Sequence, residues 1–324
     1  MIHISCAFAT SLSTPDHVVV AEQLGFHRAW LYDSPALYPD VWASLALAAT
    51  RTNRIGLGPG VLIPSLRHPM TNAAAIAMLA DMAPGRLAVA IGSGFTGRMT
   101  MGQKPLSWKF VRHYVETLQA LLRGEAVEWE GALIQMMHPE GFAPERPISV
   151  PMILGIAGPK GAAAANDLAD GMFISGMPPV PVEPGRMCVQ LAFGTVLDEG
   201  EDAGSSRALA AAGHGAGVAL HAMYERGADF SRIPGGLEWV ADIESVPAAA
   251  RHIAVHDRHL IALTERDARV VNGPMLQQFG LARTAAEWRD HLTRLEAAGI
   301  TEIAYQPAGP DIPGELRRFA EAVR

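Results

Sequence analysis

The chain has 324 residues, of which 49% are hydrophobic and 18% charged, with a formal net charge of -7. This composition predicts an ordered, soluble protein with a large core, and the length suits one (β/α)8 barrel of roughly 250 residues with insertions. It excludes a nucleic-acid partner, because no Lys/Arg-rich block is present, and it excludes membrane spans, because no apolar run of about 18 residues occurs. The two cysteines, Cys6 and Cys188, suit a reducing compartment, and we expect a cytoplasmic protein.

Short β-rich runs alternate with longer runs of helical period along most of the chain. The predicted strands are 3–8, 28–32, 54–61, 86–91, 151–155, 171–175, 190–197 and 302–306. The predicted helices lie near 15–24, 40–51, 69–82, 106–123, 158–169, 204–225, 284–298 and 312–323. Eight strands that are each followed by a helix indicate the α/β class and, within it, a closed (β/α)8 TIM barrel.

Two segments interrupt this alternation within a predicted single domain, 1–324. Residues 124–150 indicate a β-hairpin, and residues 226–283 an insertion of short helices above strand seven. Two helix starts are marked: Thr14 before Pro15 predicts a capping hydroxyl, and Thr284 with Glu287 predicts a capping box.

The residues that follow the predicted strands are apolar and rich in glycine, as in the GSGF run at 92–95. Few of them are titratable. Barrel enzymes place their chemistry at these strand ends. An apolar, open mouth favours a flat aromatic cofactor over a hydrolytic set of nucleophile, base and oxyanion donors.

The run AGPKG, 157–161, predicts an anion site, since Pro159 suits a first helical position and the free N–H groups of that helix attract phosphate. A plain tight turn is the alternative. The run GLGPGV, 56–61, predicts a bulge or a close approach of ligand at the end of strand three. An ordinary loop is the alternative there.

Four runs resemble the bacterial luciferase-like superfamily, and within it the branch that depends on the deazaflavin coenzyme F420, which includes methylenetetrahydromethanopterin reductase and glucose-6-phosphate dehydrogenase. They are GFHRAWLYDS, RTNRIGLGPGVLIPSLRHPMTNAAAIAMLADMAPGRLAVAIGSGF, VPMILGIAGPKGAAAANDLADGMFIS and RTAAEWRDHLTRLEAAGITEIAYQPAG. The likeness extends over most of the chain outside 226–283. It implies a TIM barrel and a bound deazaflavin.

The resemblance also implies which residues hold this cofactor. A non-prolyl cis bond after strand three would fall at Gly60–Val61 and back the cofactor ring, and Arg98 would meet its acidic tail. The remaining implied cofactor residues are Asp33 at the ring edge, Ser93 and Gly94 beside the ring, Ala157, Gly158, Lys160 and Gly161 in the phosphate loop, and also Ile63 and Ser175.

Two positions depart from the sugar-phosphate branch. Where that branch has a histidine and a glutamate as acid and base, this chain has Ser34 and Phe95. We therefore expect no sugar-phosphate oxidation, but hydride transfer from reduced F420 to a conjugated C=C or C=N of a hydrophobic small metabolite. The alternatives are an FMN-dependent monooxygenase served by a separate flavin reductase, and a flavin-binding protein without catalysis.

The proton for such a reduction would come from water, from His221 or Tyr224, or from histidines of the insertion. The run RHIAVHDRHL places His252, His256 and His259 on one face if it is helical. A structural or surface role, or lining of a substrate pocket, is favoured for them over a zinc site. Arg67 and His68 either touch a cofactor phosphate or start the following helix, the second being favoured. The family implies a homodimer.

Overall fold

A computed structural model describes residues 2–324. Its strands are β1 His3–Phe8, β2 Arg28–Leu31, β3 Gly56–Pro59, β4 Val89–Gly92, β5 Val127–Trp129, β6 Ala132–Ile134, β7 Met152–Gly155, β8 Gly171–Ile174, β9 Met187–Phe193, β10 Thr195–Val196, β11 Ala282–Arg283 and β12 Glu302–Gln306. Its α-helices are α1 Thr14–Gln23, α2 Val41–Arg51, α3 Pro69–Met82, α4 Phe95–Met99, α5 Trp108–Arg123, α6 Pro159–Leu168, α7 Ser206–Glu225, α8 Gly236–Glu244, α9 Arg251–Val255, α10 Glu265–Ala268, α11 Gly273–Gln278, α12 Ala285–Ala297 and α13 Ile312–Ala322.

Eight parallel strands form the barrel in the order β3-β2-β1-β12-β9-β8-β7-β4. Two isolated parallel bridges, Leu57 to Leu87 and Leu62 to Ile91, join the outer strands β3 and β4. The sheet therefore closes on itself, and the predicted (β/α)8 barrel is confirmed. Closure brings the carboxyl ends of all eight strands to one rim, where a site can form.

The seventh barrel strand differs most from its prediction at 190–197. It begins three residues earlier, at Met187, and it stops at Phe193. Gly194 then takes a φ of +132°, a conformation that side-chain-bearing residues rarely adopt, and a Cβ there would lie 2.5 Å from the Leu281 carbonyl oxygen. The chain thereby leaves the barrel and pairs β10 with β11 in a separate two-stranded sheet.

Of the two predicted helix caps, the one at α12 is confirmed and the one at α1 is not. The capping box of Thr284 and Glu287 is present at α12. The capping prediction for Thr14 was wrong: Ser13 is the N-cap of α1 and makes no side-chain cap. The Thr14 hydroxyl instead accepts the Ser11 N–H at 2.8 Å, because Thr14 already belongs to the first turn.

Large side chains and one buried ion pair fill the barrel interior. Trp30 and Phe173 meet edge to face with ring centroids 5.3 Å apart. Near the amino ends of the strands, Glu302 accepts a hydrogen bond of 2.7 Å from the Trp30 indole and lies 3.8 Å from Arg28. A buried carboxylate is tolerated there because it has such partners. These side chains close the barrel at the amino ends of its strands, and the mouth lies at the carboxyl ends.

The two interruptions have the structure their composition suggests. The 124–150 segment holds the antiparallel pair β5–β6. The 226–283 segment holds α8 to α11 and packs with α7 around the buried Trp239. Among residues 2–324, no helix combines the length and apolar character that a membrane crossing requires.

Candidate active site

The floor of the barrel mouth is the bulge after β3. The Gly60–Val61 peptide bond is cis, as the family resemblance implies. The Val61 side chain lies across the ends of β4 and β7: a Cβ on Gly92 would be 2.7 Å from one Val61 methyl, and a Cβ on Gly155 would be 2.8 Å from the other. Both glycines are therefore needed for Val61 to sit there, and together they make a low, apolar floor.

Asp33 follows β2 and is held inside the protein. Its carboxylate oxygens lie 2.9 and 2.8 Å from Arg67 Nη1, and one of them accepts the Ile63 N–H at 3.3 Å. Burial raises the pKa of the Asp33 carboxyl, and the guanidinium of Arg67 opposes that shift. Asp33 thus fixes the bulge after β3. Asp33 lies at the rim, as its place after the second predicted strand indicates, but its pairing with Arg67, 34 residues along the chain, has no local sequence signal.

The loop after β4 folds into the short helix α4, which the sequence analysis did not predict. Gly94, its N-cap, has a φ of +83°, and a Cβ on Gly97 would be 2.3 Å from Ile63 Cδ1 and 3.1 Å from Ser34 Oγ. Ser34 and Ile63 are accordingly buried under α4. Phe95 is 41% exposed and presents an aromatic ring at the mouth.

The loop after β7 is open. Helix α6 begins at Pro159, and its N-cap Gly158 has no side chain with which to cap it. A Cβ on Gly158 would meet no atom within 4 Å, whereas one on Gly161 would be 2.5 Å from the Trp108 ring. Trp108 therefore packs behind the turn. The front of the turn faces open space, and Ala157 and Lys160 are exposed there. An uncapped helix start of this kind binds anions.

Three other predicted cofactor residues differ in their surroundings. Ser175 is exposed beside Gly176, at the end of β8, and a Cβ on Gly176 would also meet nothing. Ser93 is half-buried, and its carbonyl accepts the Leu106 N–H. The Arg98 guanidinium bonds the Lys104 carbonyl and the Ser65 hydroxyl, so it already has partners within the protein.

Residues 95–103 and 251–261 make a cover beside the mouth, which we call the roof. His259 Nε2 lies 3.3 Å from Thr96 Oγ1. The Tyr38 hydroxyl donates to the His259 carbonyl at 2.6 Å, and the Gln306 amide donates to the Leu260 carbonyl at 2.6 Å. The bonds from Tyr38 and Gln306 attach the insertion to the loop after β2 and to the end of β12.

The predicted proton donors lie behind this roof. His221, on α7, is 2% exposed, and its Nδ1 lies 2.8 Å from His259 Nδ1. Tyr224 packs against the Trp239 ring with centroids 5.9 Å apart.

The structure revises the expected histidine face. α9 ends at Val255, so the condition for one shared helical face is not met and His252, His256 and His259 do not share one. His252 lies instead beside Gly102, and His221 replaces it next to His256 and His259. His68, as favoured from the sequence, caps α3 by accepting the Met70 N–H.

A cavity of about 850 Å³ lies elsewhere, between the β10–β11 sheet and the start of α12. Asp198, Glu201 and Arg283 are among its polar lining residues. None of the residues predicted to bind cofactor or substrate lines it. The chemistry of the barrel mouth therefore does not extend to this cavity.

Two relatives share this sequence pattern. The 5,10-methylenetetrahydromethanopterin reductase of Archaeoglobus fulgidus is 28% identical over 315 residues, which cover 91% of this chain and 90% of that protein. The F420-dependent glucose-6-phosphate dehydrogenase of Beutenbergia cavernae is 32% identical over 177 residues, 48% of this chain and 50% of the other.

Two solved structures share the fold. The coenzyme F420 dependent tetrahydromethanopterin reductase of Methanopyrus kandleri superposes with a TM-score of 0.66 at 19% identity, covering 99% of this chain and 98% of that one. The oxygenating constituent of 3,6-diketocamphane monooxygenase of Pseudomonas putida, in complex with FMN, superposes with a TM-score of 0.61 at 12% identity, covering 100% and 99%. At these identities the likeness concerns the fold alone.

The sequence profile of the luciferase-like monooxygenase family matches residues 12–184, which contain β2 to β8 with the bulge, the open α6 start and the glycine-rich end of β4. More than half of the chain is thus accounted for by one family, and the chain belongs to the luciferase-like family.

Proposed function

We propose that this protein is a coenzyme F420-dependent oxidoreductase, working as a reductase that transfers hydride from reduced F420 to a conjugated C=C or C=N of a hydrophobic small metabolite. The observation that carries the proposal is the open start of α6, where no side chain caps the helix, Gly158 leaves space in front of it and Lys160 is exposed. The relatives named for F420 or for a methanopterin substrate support it.

The residues of the mouth fit such a cofactor. The start of α6 would bind its phosphate, because the N-terminal helix dipole and free N–H groups favour an anion. The floor formed by Val61 would support a flat ring, and the exposed glycine at 176 leaves room on the β8 side. When bound, the reduced deazaflavin supplies the hydride, and the protein has to position the acceptor and exclude water.

The acceptor is hydrophobic in this proposal because the mouth offers it apolar contacts. Phe95 is exposed at the rim, and Ser34 is buried beneath Gly97, so neither position supplies the acid or base of the sugar-phosphate branch. Asp33 and Arg67 neutralise each other. Few charged groups therefore remain to bind a polar substrate.

Turnover tests the proposal directly. Reduced F420 is mixed anaerobically with the protein and with matched pairs of hydrophobic and polar enones and cyclic imines, and reoxidation of the cofactor is followed by absorbance. We expect oxidation by a hydrophobic acceptor and no reduction of F420 by glucose 6-phosphate. Failure of every acceptor, with F420 bound, would contradict the reductase activity.

FMN is the second candidate cofactor, since a neighbour of the same fold holds FMN. A flavin can react with oxygen where a deazaflavin transfers hydride. Oxygen uptake with reduced FMN and an apolar ketone or aldehyde, faster than without protein, would favour the monooxygenase function. Binding of either cofactor with no turnover would leave a flavin-binding protein.

A further inference from the structure

Three buried histidines converge where α7 meets the roof. His259 Nδ1 lies 2.8 Å from His221 Nδ1 and 3.3 Å from His256 Nδ1, and ligand atoms of the three rings all lie within 4.8 Å of one another. Each residue is 2% exposed. Within residues 2–324, this is the one group of three or more His, Cys, Asp or Glu side chains that is arranged so closely.

Hydrogen bonding among the rings does not account for this arrangement. An imidazole nitrogen carries either one proton or one lone pair in the ring plane, so His259 Nδ1 can form only one good hydrogen bond. Two other Nδ1 atoms nevertheless point to it. A cation at the common point would use one lone pair from each ring and would satisfy all three together.

The spacing fits a transition metal. Zinc binds histidine nitrogen at about 2.0–2.1 Å in tetrahedral sites, which places neighbouring nitrogens about 3.3 Å apart. The two short separations are 2.8 and 3.3 Å, so small movements would bring the rings to that geometry.

The outer nitrogens of the rings face oxygen atoms. His221 Nε2 lies 3.7 Å from Asp267 Oδ1, His256 Nε2 lies 3.4 Å from Glu225 Oε1, and His259 Nε2 lies 3.3 Å from Thr96 Oγ1. Metal-binding histidines usually donate their other N–H to a carboxylate or another acceptor, which orients the ring. Each outer nitrogen thus lies 3.3–3.7 Å from an oxygen atom, so a small movement would give each ring such a partner.

We propose that His221, His256 and His259 bind a divalent transition metal, represented by Zn²⁺, through their Nδ1 atoms, with the fourth position left to a water molecule. The metal joins α7 to the roof. Arg258 and Leu260, on either side of His259, have φ values of +53° and +65°, which are uncommon for residues other than glycine. The site would hold this tight turn, and with it the cover of the mouth, in one conformation.

The test uses full-length protein made without a polyhistidine tag. Zinc is titrated in competition with a chromophoric chelator, and the metal content is measured by mass spectrometry. We expect one zinc per chain in the wild type and at least a hundredfold weaker binding in His256→Gln and His259→Gln. His252→Gln, in the same run but beside Gly102, is the matched control and should bind as the wild type does.

A variant that changes only the outer shell provides a second measurement. Glu225→Gln removes the carboxylate facing His256 but none of the ligands, and we expect binding about tenfold weaker, because loss of such partners typically costs 10–100-fold. Substitution by Co²⁺ should give the visible absorption of a tetrahedral centre. Equal zinc binding by wild type and His256→Gln, with both folded by circular dichroism, would overturn the proposal, and so would the absence of binding in the wild type.

Discussion

The two sides of the barrel mouth are built differently. On the open side, at the ends of β7 and β8, Gly158 and Gly176 face empty space and α6 starts without a cap. On the covered side, Tyr38 and Gln306 donate hydrogen bonds to backbone carbonyls of the roof, and His259 joins the two segments of the roof through Thr96. The open side thus leaves a helix start without a side-chain cap, whereas backbone carbonyls of the roof have buried side-chain donors.

The largest effect is expected at the ion pair of Asp33 and Arg67, which lies beneath the covered side. Asp33→Asn removes the charge that Arg67 faces, and since the carboxylate is buried we expect unfolding free energy to fall by about 3 kcal/mol. Urea unfolding measures it. The control is Asp40→Asn, because Asp40 pairs with the same arginine but is half-exposed and Asn still caps α2; its cost should be about 0–1 kcal/mol. Equal losses in both variants would mean that Asp33 does not hold the bulge.

Acid should weaken the covered side through His214. Burial lowers the pKa of this α7 histidine to about 4, against an ordinary value of 6.5. The unfolded chain therefore binds more protons between these values, and stability that is complete above pH 6.5 is lost as pH falls towards 4, by about 3 kcal/mol for this group. His214→Leu should flatten the stability profile in that window. Parallel profiles for wild type and His214→Leu would contradict this.

On the open side, Gly158→Asp should change stability and cofactor binding in opposite directions. The new carboxylate would cap α6 without a clash, raising stability by about a few tenths of a kcal/mol, and it would repel phosphate, weakening F420 binding by about tenfold or more. Asn272→Asp adds the same charge at the N-cap of α11 and serves as the control. Unchanged F420 affinity in Gly158→Asp would place the phosphate elsewhere.

The most local effect is expected from loss of the roof's link to Tyr38. Tyr38→Phe leaves the His259 carbonyl without its donor in a buried place, which should cost about 1–2 kcal/mol. Hydrogen exchange should then show faster opening of residues 251–261 and no change at α6. Uniform exchange across both regions would mean that the roof does not open as a unit.

Sequence reasoning located the open side better than the covered one, for a physical reason. The start of α6 depends on neighbouring residues, because Gly158 and Pro159 dictate backbone geometry by themselves. The covered side depends on pairs distant in sequence: His221 meets His259 across 38 residues, and Tyr38 meets it across 221. No local pattern encodes such contacts. Helix α4 was missed because its glycines, 94 and 97, normally indicate a loop, and only packing against Ile63 explains them.

The central claim is that the open side binds the phosphate of a deazaflavin cofactor, and equilibrium titration tests it most directly. Wild-type protein, freed of bound cofactor, is titrated in parallel with F420 and with FMN, following fluorescence, and Gly158→Asp is titrated beside it. We predict micromolar or tighter binding of F420, weaker binding of FMN, and a loss of F420 affinity in the variant. Preference for FMN, or F420 binding that is indifferent to the variant, would contradict the claim.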